Sequence, residues 1–270
     1  MNSEYIETFS RNYGFISEAE QKVLRYSTVG IAGMGGVGGL LAERLIRAGI
    51  GHLRVTDSGT FEKSNLNRQF GSSNHTLGQN KASVIFHLIK DINPEAKIEY
   101  YEDGLKNESD VDTFVDGCDV IIDEMDTTAF KQSILLQRAS RKLGLYYLFS
   151  GAVGFGGIVV VFDPEGQNIE DYNGMASGVN LEHFEQTTLP FEKAVPLIPS
   201  YANTISPTLI GSIMKGEAPI PTNSIGVGLA SIIGANEAVN ILTKKREIIS
   251  APRYIYIDLI DLKFIIGKMP

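Results

Sequence analysis

The sequence predicts an α/β chain on a Rossmann-like mixed sheet, parallel in the first half and partly antiparallel in the second, with helices on both faces. Three observations carry this. Over the first 150 residues, short apolar runs alternate with runs of helical period. A glycine-rich turn, Gly33-Met-Gly35-Gly36-Val-Gly38, joins the first apolar strand to the first long helix. After Gly157 the alternation fades and strand-like runs follow without regular helices between them.

Ser17-Glu-Ala-Glu20 has the form of a capping box and predicts a helix to about Arg25. Residues 27–32 (STVGIA) predict a short strand. Residues 37–48 carry Leu40, Leu41, Leu45 and Ile46 at helical spacing and end at Gly49, a helix stop. A strand over 52–56 ends in Asp57. A helix over 81–91 stops at Asn93-Pro94. Strands are expected at 97–101, 119–123 and 145–149, with helices at 110–115 and 130–143 between them. Residues 157–162 (GIVVVF) read as a strand, 222–245 as a helix and 253–266 as two strands. Residues 163–221 hold seven prolines and no clear period, the mark of a functional or mobile connection. The expected organisation is one domain over 1–270. An N-terminal arm and helix (1–26) precede a nucleotide-binding core (27–162), a crossover segment (163–221) and a C-terminal helix with strands (222–270).

The 270 residues are 43% hydrophobic and 21% charged, ordinary for a folded chain and incompatible with disorder. With 24 basic against 32 acidic residues the net charge is −8, which argues against a nucleic-acid binder. The polar start has no apolar h-region, and the apolar stretch 224–242 carries Asn236, Glu237 and Asn240, so neither export nor a membrane span is expected. Cys118 is the one cysteine, which excludes an intramolecular disulfide and a thiolate zinc cluster and points to a reducing, cytoplasmic compartment. Cys118 opens the apolar run CDVIID and reads as a small buried thiol. His52, His75, His87 and His183 have no ligand spacing.

In the strand–turn–helix setting, Gly33, Gly35, Gly36 and Gly38 let backbone N–H groups approach a phosphate at a helix N-terminus. Asp57, 19 residues beyond Gly38 at a strand end, is placed to accept ribose hydroxyls. This much suits NAD or ATP equally. The next segments, SNLNRQF (64–70), GQNK (78–81) and DEMD (123–126), bring Arg68, Lys81 and Asp126 toward the phosphates. A dehydrogenase leaves those groups idle, whereas nucleotidyl transfer needs cations on the phosphates and a carboxylate for Mg²⁺.

These motifs, in this order and spacing, resemble the ThiF/MoeB/HesA family, the bacterial relatives of the ubiquitin-activating enzymes. The resemblance runs from SRNYG (10–14) to about FDPEG (162–166). It implies a homodimer that uses ATP and Mg²⁺ to activate a carboxyl group as an acyl-adenylate, releasing pyrophosphate. The substrate expected is the C-terminus of a ubiquitin-like protein or a peptide. The resemblance implies that Gly35 and Gly36 cradle phosphate, Asp57 binds ribose, and Asn65 and Asn67 contact the nucleotide. Arg68 and Lys81 would grip the triphosphate, Asp126 would hold Mg²⁺ (with Asp123 as the alternative), and Arg11 would reach the partner subunit's site. Three departures stand out. Gly59 replaces a second aspartate, both CxxC zinc pairs are absent, so no zinc is expected, and the crossover segment has no cysteine. The adenylate would therefore pass to a separate sulfur donor, an amine or the substrate's own side chain. A peptide-modifying enzyme, a relative of tRNA threonylcarbamoyladenosine dehydratase, a non-catalytic partner subunit and, more distantly, an NAD-dependent oxidoreductase remain as alternatives.

Overall fold

β-Branched, apolar stretches too short for helices form the centre of the molecule. In the computed structural model, which describes residues 2–181, 184, 197–214 and 217–269, they pair into one sheet. The strands are β1 (Thr28–Ala32), β2 (His52–Thr56), β3 (Lys97–Tyr101), β4 (Val120–Asp123), β5 (Tyr146–Val153), β6 (Gly156–Phe162), β7 (Arg253–Asp258) and β8 (Lys263–Lys268). Their order is β3-β2-β1-β4-β5-β6-β7-β8. The pairs among β1 to β5 are parallel, and β5–β6, β6–β7 and β7–β8 are antiparallel. The switch falls at the tight turn around Gly154, whose positive φ of 60° reverses the chain. The GAVGFGG stretch is therefore a hairpin, unlike the helix-opening turn at Gly33.

The helices are α1 (Ser3–Thr8), α2 (Glu18–Tyr26), α3 (Gly36–Ala48), α4 (Lys81–Ile92), α5 (Glu108–Val115), α6 (Phe130–Lys142), α7 (Ile169–Tyr172), α8 (Pro207–Met214) and α9 (Ser224–Thr243). The capping box is present: Ser17 Oγ accepts from Glu20 N–H, and the Glu20 carboxylate accepts from Ser17 N–H at 2.7 Å. Gly49 closes α3 with a φ of 99°. One core lies between the sheet and α2, α3, α4 and α9, around Leu41, Leu45, Ile85 and Ala238. A second lies on the other face, under α5, α6 and α7, around Phe114, Ile134, Tyr147 and Phe162. Of the described residues, only those of α9 make a helix long and apolar enough to cross a membrane, and 61% of that window is buried in the fold.

The segment predicted as irregular, 163–221, is more ordered than expected. Asn168 caps α7, accepting from Asp171 N–H, and α8 forms after Ser206. Asx and Ser caps on very short helices leave little periodicity to read. Much of the segment's middle, His183 included, lies outside the described residues.

Candidate active site

The parallel order places the carboxyl ends of β1, β2 and β4 side by side, and the loops leaving them form the site. The first is the glycine turn between β1 and α3. Gly33 has a φ of 97°, and a Cβ there would sit 2.3 Å from the Glu124 carbonyl oxygen. A Cβ on Gly38 would sit 1.9 Å from the Gly33 carbonyl oxygen. Both glycines are thus required by close backbone approach. Gly35 is different: it precedes the first turn of α3, and a Cβ there would meet nothing within 4 Å. The turn therefore leaves an open hollow at the N-terminus of α3, where N–H groups and the helix dipole favour an anion.

Asp57, at the end of β2, ties two loops together. Its Oδ2 accepts from Met34 N–H and its Oδ1 from Gly59 N–H, both at 2.7 Å. Half-buried and with lone pairs remaining, it stays able to accept hydroxyl protons. Lys81 opens α4 beneath it. The Lys81 Nζ lies 3.5 Å from where a Gly59 Cβ would be, so the position that carries a second aspartate in many relatives faces this ammonium.

The SNLNRQF loop supplies the second cation. Arg68 Cγ is 3.7 Å from a Cβ built on Gly36, over the start of α3. Its guanidinium donates to the Ser64 carbonyl at 3.1 Å and to Asn67 Oδ1 at 2.9 Å. Neither Arg68 nor Lys81 makes an ion pair among the described residues, although the chain as a whole is acidic. Two cations without a close ion pair among the described residues, beside an open helix N-terminus, form a site for a polyanion.

At the end of β4 one carboxyl is buried, one half-buried and a third exposed. Asp123 accepts from Tyr147 OH and from Met125 N–H, and burial pushes its pKa up against those bonds. Glu124 accepts from Ser150 N–H at 3.0 Å and Ser150 Oγ at 2.6 Å, and burial holds its pKa well above the usual range. Asp126 alone faces solvent. Its Oδ1 accepts from Thr128 N–H at 3.0 Å and Thr128 Oγ at 3.1 Å, which aims the carboxylate and leaves Oδ2 open. No group of three His, Cys, Asp or Glu side chains is gathered for a metal among the described residues. A lone aimed carboxylate suits Mg²⁺, which keeps water and takes phosphate oxygens for most of its shell.

The structure thus gathers Gly33, Gly35, Gly36, Gly38, Asp57, Arg68, Lys81 and Asp126. Two expected residues behave differently. Asn65 is buried and spends its amide within its own loop, accepting from Glu62 N–H at 3.0 Å and donating to Ser64 Oγ at 3.3 Å. Asn67 bridges Arg68 to the Thr222 carbonyl at 3.1 Å, so it positions the arginine against α9. Arg11 is not in this site. It lies on a short 3₁₀ turn whose neighbour Asn12 donates to the Ala48 carbonyl at 3.3 Å, at the far end of α3. Thirteen residues of helix, about 20 Å, separate the two ends.

Sequence reasoning missed α9's part. Val227 lies against Gly36, and Asn223 caps α9 while donating to the Gly154 carbonyl at 2.7 Å. The turn at Gly154 in turn holds a part of the crossover segment. Phe155 N–H donates to Tyr201 Oη, and Tyr201 OH donates to Asp258 Oδ2, both at 2.7 Å. Asn223 just before an apolar run was the one readable signal. Cys118 sits at the other end of the sheet, buried with Sγ 3.4 Å from the Phe114 carbonyl. Burial pushes its thiol up to about 11, against the pull of Arg54.

The ThiF family profile matches residues 9–269. The chain belongs to the ThiF family. Among relatives, a tRNA threonylcarbamoyladenosine dehydratase of Bacillus subtilis is 33% identical over 140 residues, 52% of this chain and 55% of its own. The sulfur carrier protein adenylyltransferase of Thermus thermophilus is 26% identical over 240 residues, 87% of this chain and 83% of its own. The chain spans about half the length of the dehydratases it matches, at 55% and 47%. Among solved structures, E. coli MccB with ATP superposes with a TM-score of 0.73 at 19% identity, over 100% of this chain and 74% of that one. PaaA superposes with a TM-score of 0.72 at 16% identity, over 99% and 74%. At these identities the two structures establish a shared ThiF-type fold, the mixed Rossmann-like sheet expected from the sequence.

Proposed function

We propose that this ThiF-family chain adenylates a carboxylate with ATP and Mg²⁺ and releases pyrophosphate. The observation that carries this reading is the pair of cations, Arg68 and Lys81, without an ion pair among the described residues, facing an open glycine turn across from the exposed carboxylate of Asp126. The backbone around Gly35 and Gly36 would seat the phosphates, Asp57 the ribose, and Asp126 the metal, which supplies charge neutralisation on the phosphate oxygens. Arg68 and Lys81 would stabilise the negative charge that grows on the α-phosphate and the departing pyrophosphate. No general base is required, because a C-terminal carboxylate, with a reference pKa of about 3.5, is already a nucleophile at neutral pH. The chain is read as one adenylation unit in a cytoplasmic homodimer whose substrate is the C-terminal tail of a peptide or a ubiquitin-like protein. That an MccB structure holds its peptide, MccA, supports the peptide class. Cys118, buried and protonated, offers no thioester, so the activated acyl group passes to an external acceptor or within the substrate.

Similarity to the tRNA threonylcarbamoyladenosine dehydratases supports a second reading, in which the carboxylate belongs to a modified tRNA base. The net charge of −8 weighs against it. Calorimetry with ATP·Mg²⁺, NAD and NADP tests the common core of both readings. Heat with ATP·Mg²⁺ alone is expected, and NAD binding without an ATP signal would remove adenylation.

A further inference from the structure

Across the sheet the site residues follow the strand order β2-β1-β4-β5. Asp57 stands after β2, the glycine turn after β1 and Glu124 after β4, while Ser150 lies within β5. Arg68 and Lys81 both come from the connection between β2 and α4, on Asp57's side. Ribose and departing pyrophosphate therefore belong to the β2 side of the turn. An incoming carboxylate meets the α-phosphate in line with the leaving group and opposite to it, which leaves the β4–β5 side for the acyl group.

Glu124 occupies that side. Its Cβ is 3.2 Å from a Cβ built on Gly38, so it lies against the first turn of α3. Its Oε1 accepts both Ser150 hydrogen bonds, and Ser150 is itself wedged under α9, its Oγ 2.6 Å from a Cβ built on Gly234. Oε2 takes no hydrogen bond from the described residues, and it is not one of the sealed polar atoms that lack a partner. The carboxyl is thus fixed in place with one oxygen open. Three other glutamates show what it lacks. Glu43, Glu170 and Glu237 are buried, and they hold Arg47, Arg138 and Arg246. Glu124, half-buried, has no ion pair among the described residues. A carboxylate drawn out of water is stabilised by a cation that shares its burial.

We propose that Glu124 is a specificity-determining residue of the site, its open oxygen receiving a side chain that ends in a cationic nitrogen on the residue that carries the activated carboxylate. The proposal rests on the adenylation reading above and names a substrate class for it: a tail ending in lysine or arginine rather than glycine. The arginine that the other glutamates find within the fold is here supplied by the substrate.

Non-hydrolysable mimics of the acyl-adenylate, the N-acetyl-aminoacyl sulfamates of adenosine, test this by titration calorimetry without turnover. The lysyl mimic should bind the wild type about 10- to 100-fold tighter than the leucyl mimic, the range of a hydrogen bond to a charged group. The glutamyl mimic should bind more weakly than either. Glu124→Gln keeps the shape: its amide oxygen can accept the Ser150 bonds, and its NH₂ then faces the open side as a donor. There the order should invert, glutamyl over lysyl, whereas damage to the fold would weaken all mimics alike and leave the order standing. A leucyl mimic that binds the wild type as tightly as the lysyl one, or a lysyl preference that survives in Glu124→Gln, would overturn the proposal. Saturable binding of n-butylamine to the leucyl complex, with no lysyl preference, would give the open oxygen to a separate amine and overturn the assignment to the substrate's own residue. ATP·Mg²⁺ binding without any side-chain preference removes only the role of Glu124. Failure of ATP·Mg²⁺ and of every mimic to bind removes the adenylation reading and the proposal with it.

Discussion

Replacing Gly35 and Gly38 separately by alanine divides what the glycine turn does for the fold from what it does for a ligand. At Gly38 the new methyl would lie 1.9 Å from the Gly33 carbonyl oxygen and 3.2 Å from Glu124 Cβ. An ordinary carbon–oxygen contact is more than an ångström longer, and the atom met is backbone that cannot swing aside, so α3 must lift off β1. Overpacking of this kind costs about 3 kcal/mol, the upper end of the usual range, and lowers Tm by roughly 6–12 °C in a chain of this size. At Gly35 the methyl meets nothing within 4 Å. The fold loses only the N-cap preference of glycine over alanine, about 1 kcal/mol, or roughly 2–4 °C. The methyl does fill the hollow where phosphate would sit on backbone N–H groups. Losing one charge-assisted hydrogen bond of about 1.5–3 kcal/mol weakens ATP·Mg²⁺ binding by roughly 10- to 100-fold. Differential scanning calorimetry and titration calorimetry read the two effects. A Gly38→Ala protein as stable as the wild type would refute the packing argument. A Gly35→Ala protein with wild-type ATP affinity would refute the placement of the phosphates.

Arg68→Ala and Asp126→Ala should each lower substrate-dependent ATP–pyrophosphate exchange by about 10²–10³ with little change in Tm, since both side chains are at the surface; near wild-type exchange in either removes that residue from the site. Cys118 should react slowly with iodoacetamide at pH 8 and show thiolate absorbance only near its pKa of about 11. Its folded pKa lies above the unfolded value, so the stability it contributes is full below about pH 8.5 and is lost as pH rises toward 11. Cys118→Ala should flatten the stability profile in that window, and an unchanged slope would contradict the assignment.

Most of the sheet was legible in the sequence because its strands are short apolar runs bounded by glycines and capping residues. The predicted limits 52–56 and 97–101 agree with β2 and β3 to the residue. The β5 strand ran four residues beyond its expected end because glycine and serine at 150–151 carry no strand signal, although pairing with β6 holds them. α1 was not anticipated: its Asn2 cap lies at the edge of the chain, and its hold on the body is the Tyr5 hydroxyl on the Gly49 carbonyl at 2.6 Å. In the site, residues that share a short motif were readable by spacing. The bracing by Thr222, Asn223 and Tyr201 was not, because it joins positions more than forty residues apart through single hydrogen bonds.

Adenylation is chemistry at the α-phosphate, and the nucleotide products decide it. Peptides and ubiquitin-like proteins with free C-termini are incubated with the protein, ATP and Mg²⁺, beside the same substrates amidated at the C-terminus. AMP and pyrophosphate are expected, with labelled pyrophosphate exchanging into ATP, only where the carboxylate is free. ADP and inorganic phosphate, or turnover that ignores amidation, would contradict it.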